Sequence, residues 1–184
     1  MAMRKEIVGI CLFFLVIFTL ISLLSYSATD PSVFHNIGVS GRVHNLFGTF
    51  GAHVAGTLIG LFGLGSFWIP ILLLLASIYF FVEHPAKAIL PIMVGGLFLV
   101  TTTGSLLAVK QTHYLIFGTS FSAGGIIGTP LKAFLVKYSN PTGGIIILFA
   151  SWLIGFILAT GFSLIAFSKR CWQTAAFFAD GFKT

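Results

Sequence analysis

Five histidines, four carboxylates and two cysteines are the side chains of this 184-residue chain that could carry metal, acid–base or thiol chemistry. Their spacing argues against all three. His35, His44, His53, His84 and His113 are dispersed, with no His-x-x-x-His pair and no neighbouring cysteine, so no metal site is expected. Glu6, Asp30, Glu83 and Asp180 lie far apart in sequence and give no carboxylate pair for general acid–base work. Cys11 falls within an apolar run and Cys171 in a basic flank, the pattern of two free thiols rather than a structural disulfide. No Gly-x-x-x-x-Gly-Lys-(Ser/Thr) occurs, so nothing argues for ATP hydrolysis by these residues. Gly124-Gly125-x-x-Gly128 has the outline of a phosphate loop. It lacks the lysine and follows no expected strand, so a turn or close backbone packing is the better account. No catalytic, cofactor-binding or metal-ligating residue is expected, and no cofactor.

What remains is polar, glycine and turn chemistry, concentrated between Ser25 and Gly63. Asp30-Pro31-Ser32 is a turn starter, because proline fixes φ and the flanking side chains bond local backbone. It serves to leave the apolar run before it, with a partner-binding epitope as the alternative. Gly48-x-x-Gly51-Ala52 then leads into Gly56 and Gly60, small residues at four-residue spacing on one helical face. In lipid, such a face lets another backbone approach closely. Ser151, Gly155 and Ala159 repeat the spacing near the end, and Gly125 and Gly128 restate the Gly-x-x-Gly. These small residues could pack within one helical unit or between subunits. Gly48-x-x-Gly51 with Leu58 and Gly125-x-x-Gly128 with Leu135 also hint at an internal repeat of two hairpins.

The elements that hold these residues follow from composition. With 57% hydrophobic and 8% charged residues and a mean hydropathy of +1.06, the chain cannot cover a soluble surface, which takes about 25% charged residues. It is expected to be an all-α, polytopic membrane protein. Residues 1–170 form the membrane domain, with spans at about 7–24, 65–82, 88–109 and 143–167; residues 171–184 are a cytoplasmic tail or the start of a linker. The first apolar run exceeds the roughly 7–15 residues of a signal-peptide core, which favours an uncleaved anchor over a cleavable leader. Residues 52–82 are too long for one straight crossing, so 52–62 should lie tilted or in the interface, with Gly63, Gly65 and Pro70 as break points and Pro70 kinking the span. Glu83 to Lys87 is a tight polar turn. Leu131, Phe134, Leu135 and Tyr138 make an apolar stripe flanked by Lys132 and Lys137, a second interfacial helix that Asn140-Pro141 should end.

None of the four expected spans contains Asp, Glu, Lys, Arg or His, which counts against an ion-coupled transporter. Net charge +6 comes from cations scattered at the ends of apolar runs, suggesting membrane-surface anchoring rather than DNA contact. Arg4, Lys5, Lys87, Lys169, Arg170 and Lys183 fall on one side, against Arg42, Lys110, Lys132 and Lys137 on the other. That balance puts both termini in the cytoplasm.

The aliphatic run ending in Ser25-Tyr-Ser-Ala-Thr-Asp-Pro-Ser32, followed by Asn45, Gly48-x-x-Gly51-Ala-x-x-Ala55-x-x-Leu58 and Leu61-Phe-Gly63, resembles the N-terminal four-helix membrane domain of FtsK/SpoIIIE-type DNA translocases. Ala28 stands where that family commonly has proline, and Gly56 where an acidic residue often follows the second alanine. The resemblance covers about residues 7 to 170. It implies a membrane-anchoring and assembly domain acting in cell division and chromosome segregation, in the bacterial inner membrane at the septum. It also implies a homo-oligomer (a hexamer), contacts with other division proteins, and an ATP-driven motor whose residues are not in this sequence. The other readings are a small oligomeric transporter or channel subunit moving a neutral solute, favoured by glycine- and proline-interrupted segments in two halves, and a stand-alone membrane scaffold.

Overall fold

A computed structural model describes residues 2–34, 42–81, 89–116 and 118–161. Helix α1 is Ala2–Leu24, α2 is Gly48–Phe62, a 3-10 turn covers Gly63–Phe67, and α3 is Trp68–Phe81. Helix α4 is Ile89–Lys110, a hairpin of β1 (His113–Ile116) and β2 (Thr119–Ser122) follows, and α5 is Gly125–Thr160. Among the described residues four helical stretches are long and apolar enough to cross a membrane, so the fold is all-α and multi-pass.

Helix lengths decide what can cross. At about 1.5 Å per residue, α1 and α4 reach the roughly 30 Å of a hydrocarbon core unaided. Helix α3 alone covers only about 21 Å, and the 3-10 turn at about 2 Å per residue supplies the missing length. Helix α5 contains one non-helical residue, Asn140 (φ 59°, ψ 167°), which divides it into a first arm, 125–139, and a second arm, 141–160. Pro141 opens the second arm, where its missing N–H costs nothing and its fixed φ suits the first helical turn. Gly161 closes it in the left-handed conformation, its N–H donating to the Ile157 carbonyl.

The spans pair as two antiparallel hairpins. In the first, the Ser77 hydroxyl near the end of α3 donates to the Gly9 carbonyl near the start of α1, at 3.0 Å. In the second, Gly95 of α4 lies against Gly155 and Ala159 of α5 so closely that a Cβ there would meet backbone. Trp152 Nε1 donates to Thr103 Oγ1 at 3.1 Å between the same two helices. Helices α3 and α4 diverge around an apolar groove of about 570 Å³, lined by Leu72, Ala76, Met93 and Leu97 among others. The hairpins join at the end away from the start of α1 and the end of α5, where Leu23, Ala55, Ile59 and Phe121 form a buried cluster with Tyr26, Leu64 and Phe67 against it.

Several expectations change. Helix α2 starts at Gly48, not Ala52; of the three expected break points only Gly63 takes a positive φ (61°), and the break falls there. Pro70 kinks nothing: α3 begins at Trp68, so the proline sits in a first turn that has N–H groups to spare. The helix around Leu131–Tyr138 begins earlier, at Gly125, and includes Pro130. The strand hairpin before it was not foreseen, although Tyr114, Leu115 and Ile116, then Gly118, then Thr119 and Phe121 carry its signal. The expected turn at 83–87, the stretch from 162 to Phe167 and the tail 171–184 lie outside the described residues.

Candidate functional site: the junction of the two connections

The first connection is built on Asp30. Its carboxylate is buried and accepts three hydrogen bonds: from the backbone N–H of His44 (2.9 Å), the backbone N–H of Asn45 (2.9 Å), and the His44 ring at 3.1 Å. A buried carboxylate is tolerated only when its oxygens are paired in this way. Asn45 then ties the returning chain to the end of α1. Its side-chain amide donates to the Ser22 carbonyl at 2.8 Å, and its Oδ1 accepts the Phe47 N–H at 3.1 Å. The Ser25 hydroxyl accepts the Leu46 N–H at 3.1 Å and donates to the Ile21 carbonyl at 2.7 Å. Pro31, beside the carboxylate, is half-buried. The Tyr26 phenol is pushed above its ordinary pKa of 10.0 by burial, with the negative charge of Asp30 adding to the effect.

Helix α2 rests on this clasp. Gly51 faces the Asn45 side chain, Gly56 faces Ser32 and Gly60 faces the Phe34 ring, each so close that a Cβ would overlap its neighbour. Ala52 and Ala55 are buried beside them. The small face of α2 therefore seats its own chain's first connection. Gly48 differs: its φ is +60° and a Cβ would meet nothing within 4 Å, so glycine is required there by conformation alone.

The second connection reaches a like helix start by packing. Gly125 also has φ +60°, but a Cβ there would come within 2.5 Å of the Leu61 carbonyl carbon and oxygen. Gly128 lies on Gly104 and Ser105 of α4, and the Ser105 hydroxyl donates to the Gly128 carbonyl at 3.0 Å. Leu64 N–H donates to the Ala123 carbonyl at 3.0 Å, and Ala123 N–H to the Thr112 carbonyl at 2.9 Å. The Phe121 ring packs on Tyr26 at 5.1 Å between centroids, which brings the two connections together. Gly155 packs on α4 away from this junction, and Ser151, one turn before it, is half-buried.

Gly124-Gly125-x-x-Gly128 does follow a strand, β2, contrary to the sequence expectation, and it opens a helix. The likeness to a phosphate loop ends there. Gly125 N–H is bonded to the Ser122 hydroxyl at 3.1 Å, Gly128 N–H to the Gly124 carbonyl at 2.7 Å, and the space over the turn holds the backbones of α2 and α4. Among the described residues no group of three or more His, Cys, Asp or Glu could hold a metal ion. At the junction Asp30, Asn45, Ser25, Ser105 and Ser122 each bond backbone.

The halves share a backbone program. Gly48 and Gly125, both at φ +60°, stand 77 residues apart, and so do Gly63 and Asn140, at φ +61° and +59°. Each half thus runs span, connection, glycine-led helix of 15 residues, left-handed break, span. In the sequence the repetition shows as the Gly-x-x-Gly, the leucine that follows it and the same expected order of span, connection, interfacial helix and span.

Two helix hairpins of this kind, joined at one end by glycine-led helices, define a multi-pass membrane domain. The chain matches the family described as the 4TM region of DNA translocase FtsK/SpoIIIE over residues 2–172, and it belongs to that family. It is 31% identical over 151 residues to the DNA translocase FtsK of Vibrio vulnificus, covering 81% of this chain and 15% of that protein. It is likewise 31% identical over 191 residues to the DNA translocase FtsK of Caldanaerobacter subterraneus subsp. tengcongensis, covering 92% of this chain and 23% of the relative. The FtsK of Shewanella oneidensis is 26% identical over 161 residues, covering 83% and 17%. The chain therefore spans less than a quarter of the relatives' length. No solved structure matches it.

Proposed function

We propose that this domain anchors and assembles a DNA translocase in the bacterial inner membrane during cell division and chromosome segregation, without itself hydrolysing ATP. The observation that carries this reading is family membership across residues 2–172, in a fold whose buried Asp30 carboxylate and Asn45 amide bond the backbone of the first connection. Residues 1–170 act as one membrane unit, both termini face the cytoplasm, and residues 171–184 lead toward a motor. Division proteins and further copies of the chain, up to a hexamer by family resemblance, are its partners, and DNA is not.

The test is a domain swap in the full-length protein. Residues 1–170 are replaced by an unrelated four-span domain with both ends in the cytoplasm, and septal localisation and oligomer size are measured. Loss of both while the protein still inserts in the membrane is the expected result. Normal septal localisation and assembly of the chimera would reduce the domain to an interchangeable tether.

A further inference from the structure

The first arm of α5 has two unlike sides. One side, through Gly128, lies on Ser105 of α4, with Leu131 and Leu135 half-buried. The other presents Ile126, Phe134 and Tyr138, which are 55%, 59% and 70% exposed, with Lys137 exposed among them. Phe134 and Tyr138 form a ring pair at 4.8 Å, and the Lys137 ammonium lies over the Tyr138 ring, 5.7 Å from its centre. Fifteen residues span only about 22 Å, so this arm cannot cross a bilayer. Ser105 is five residues from the end of α4, so the arm starts within about 8 Å of that helix end. A start that close to the end of a span puts the beginning of the arm near the boundary between hydrocarbon and headgroups.

Charge at this end of the molecule is one-sided. Arg42, Lys110, Lys132 and Lys137 fall on or beside the two connections. Among the described residues the only carboxylate there is Asp30, which is buried and engaged by His44 and Asn45. Lys137 thus stands beside exposed aromatic surface with no acidic side chain of the described structure to neutralise it. That combination fits an anion whose apolar portion lies beside the rings.

We propose that Lys137, held over Tyr138 and flanked by Phe134, binds the headgroup phosphate of an anionic phospholipid, and that this makes the domain selective for anionic lipid at the end bearing the connections. An arm too short to cross a bilayer and starting beside the end of a span meets lipid headgroups first, which favours a lipid over an acidic protein. Lys132, half-buried at a different angle around the helix, provides the comparison.

The experiment reconstitutes the chain in phosphatidylcholine vesicles with trace spin-labelled phosphatidylglycerol or spin-labelled phosphatidylcholine. The motionally restricted fraction of each label is then measured. The expected preference for phosphatidylglycerol is about fivefold per engaged lysine at low salt, declining as salt screens it. Lys137→Gln should remove most of the salt-sensitive preference contributed at this end, Lys137→Arg should keep it, and Lys132→Gln should change it little. Basic residues at the termini contribute a background that persists in every variant. Equal preference in native protein and Lys137→Gln would overturn the proposal, as would loss in Lys132→Gln and Lys137→Gln alike, which marks a diffuse charge effect. Unchanged helicity and melting of the exposed Lys137 variants separate loss of binding from loss of fold.

Discussion

The two connections solve one problem by different physics. Each must bring the chain back from the end of a span and start a helix from a glycine at φ +60°. The first does so with side chains: Asp30 captures two backbone N–H groups, Asn45 bridges to Ser22, and the space around Gly48 is open. The second does so with packed backbone: Gly125 presses on Gly60 and Leu61, and Gly128 on Gly104 and Ser105. The same torsion angle can therefore be held by hydrogen bonds in one half and by steric enclosure in the other. The first helix start tolerates added volume at Gly48, though not at Gly51, Gly56 or Gly60, and depends on the Asp30 carboxylate; the second does not tolerate volume at Gly125.

The most damaging single change should be Gly125→Ala. It adds the strain of a left-handed non-glycine residue, about 1–2 kcal/mol, and it forces apart backbones that cannot move as a side chain can. A loss of about 3 kcal/mol or more is expected, read as the thermal midpoint in mild detergent. Gly48→Ala carries the strain alone and should cost about 1–2 kcal/mol. If the two variants melted together, the contrast between open and enclosed glycines would be wrong.

Next in size is Asp30→Ala, which leaves two backbone donors and the His44 ring without their acceptor. Hydrogen bonds to a charged group contribute about 1.5–3 kcal/mol each, so a loss of about 3 kcal/mol is expected after partial rescue by water. Asp30→Asn retains one acceptor oxygen and should lose roughly half as much. Amide exchange at His44 and Asn45 should rise in both variants, with α4 and the second arm of α5 unaffected. A matching rise in the second half would mean that the connections share one cooperative unit through the Tyr26–Phe121 contact.

Much of this was legible in the sequence because lipid imposes strict rules. Runs of apolar residues had to be helices, and the 31-residue stretch from Ala52 to Val82 could not be one straight span. The helix stop at Asn140-Pro141 was legible too, since proline disfavours helix at the preceding residue. The partners of the small residues were not. Gly56 and Gly60 could have faced any helix, and nothing local shows that Ser32 and Phe34 fold back onto them. Asp30 could be read as a turn residue, but its acceptance of N–H groups 14 and 15 residues away depends on chain reversal. The break at Gly63 was among the expected points, but Pro70 was expected to kink the span, as proline does inside a helix, whereas here the helix restarts just before it.

The smallest predicted effect is also the one that can raise stability. Gly63 and Asn140 hold equivalent places, each ending a 15-residue helix with a positive φ, yet one is glycine and the other is not. Asn140 combines φ 59° with ψ 167°, a region populated almost only by glycine. Asn140→Gly relieves that strain in the folded state while adding freedom to the unfolded chain, opposing terms of about 1–3 and about 0.4–1 kcal/mol. A net gain of about 1 kcal/mol is expected in the thermal midpoint. The reciprocal Gly63→Asn should destabilise despite matching the residue at 140, because a side chain at 63 would run into the Ala123 carbonyl that accepts the Leu64 N–H. Were Gly63→Asn neutral, the two breaks would be interchangeable, and the second half's dependence on enclosure would not extend to the place where it meets the first.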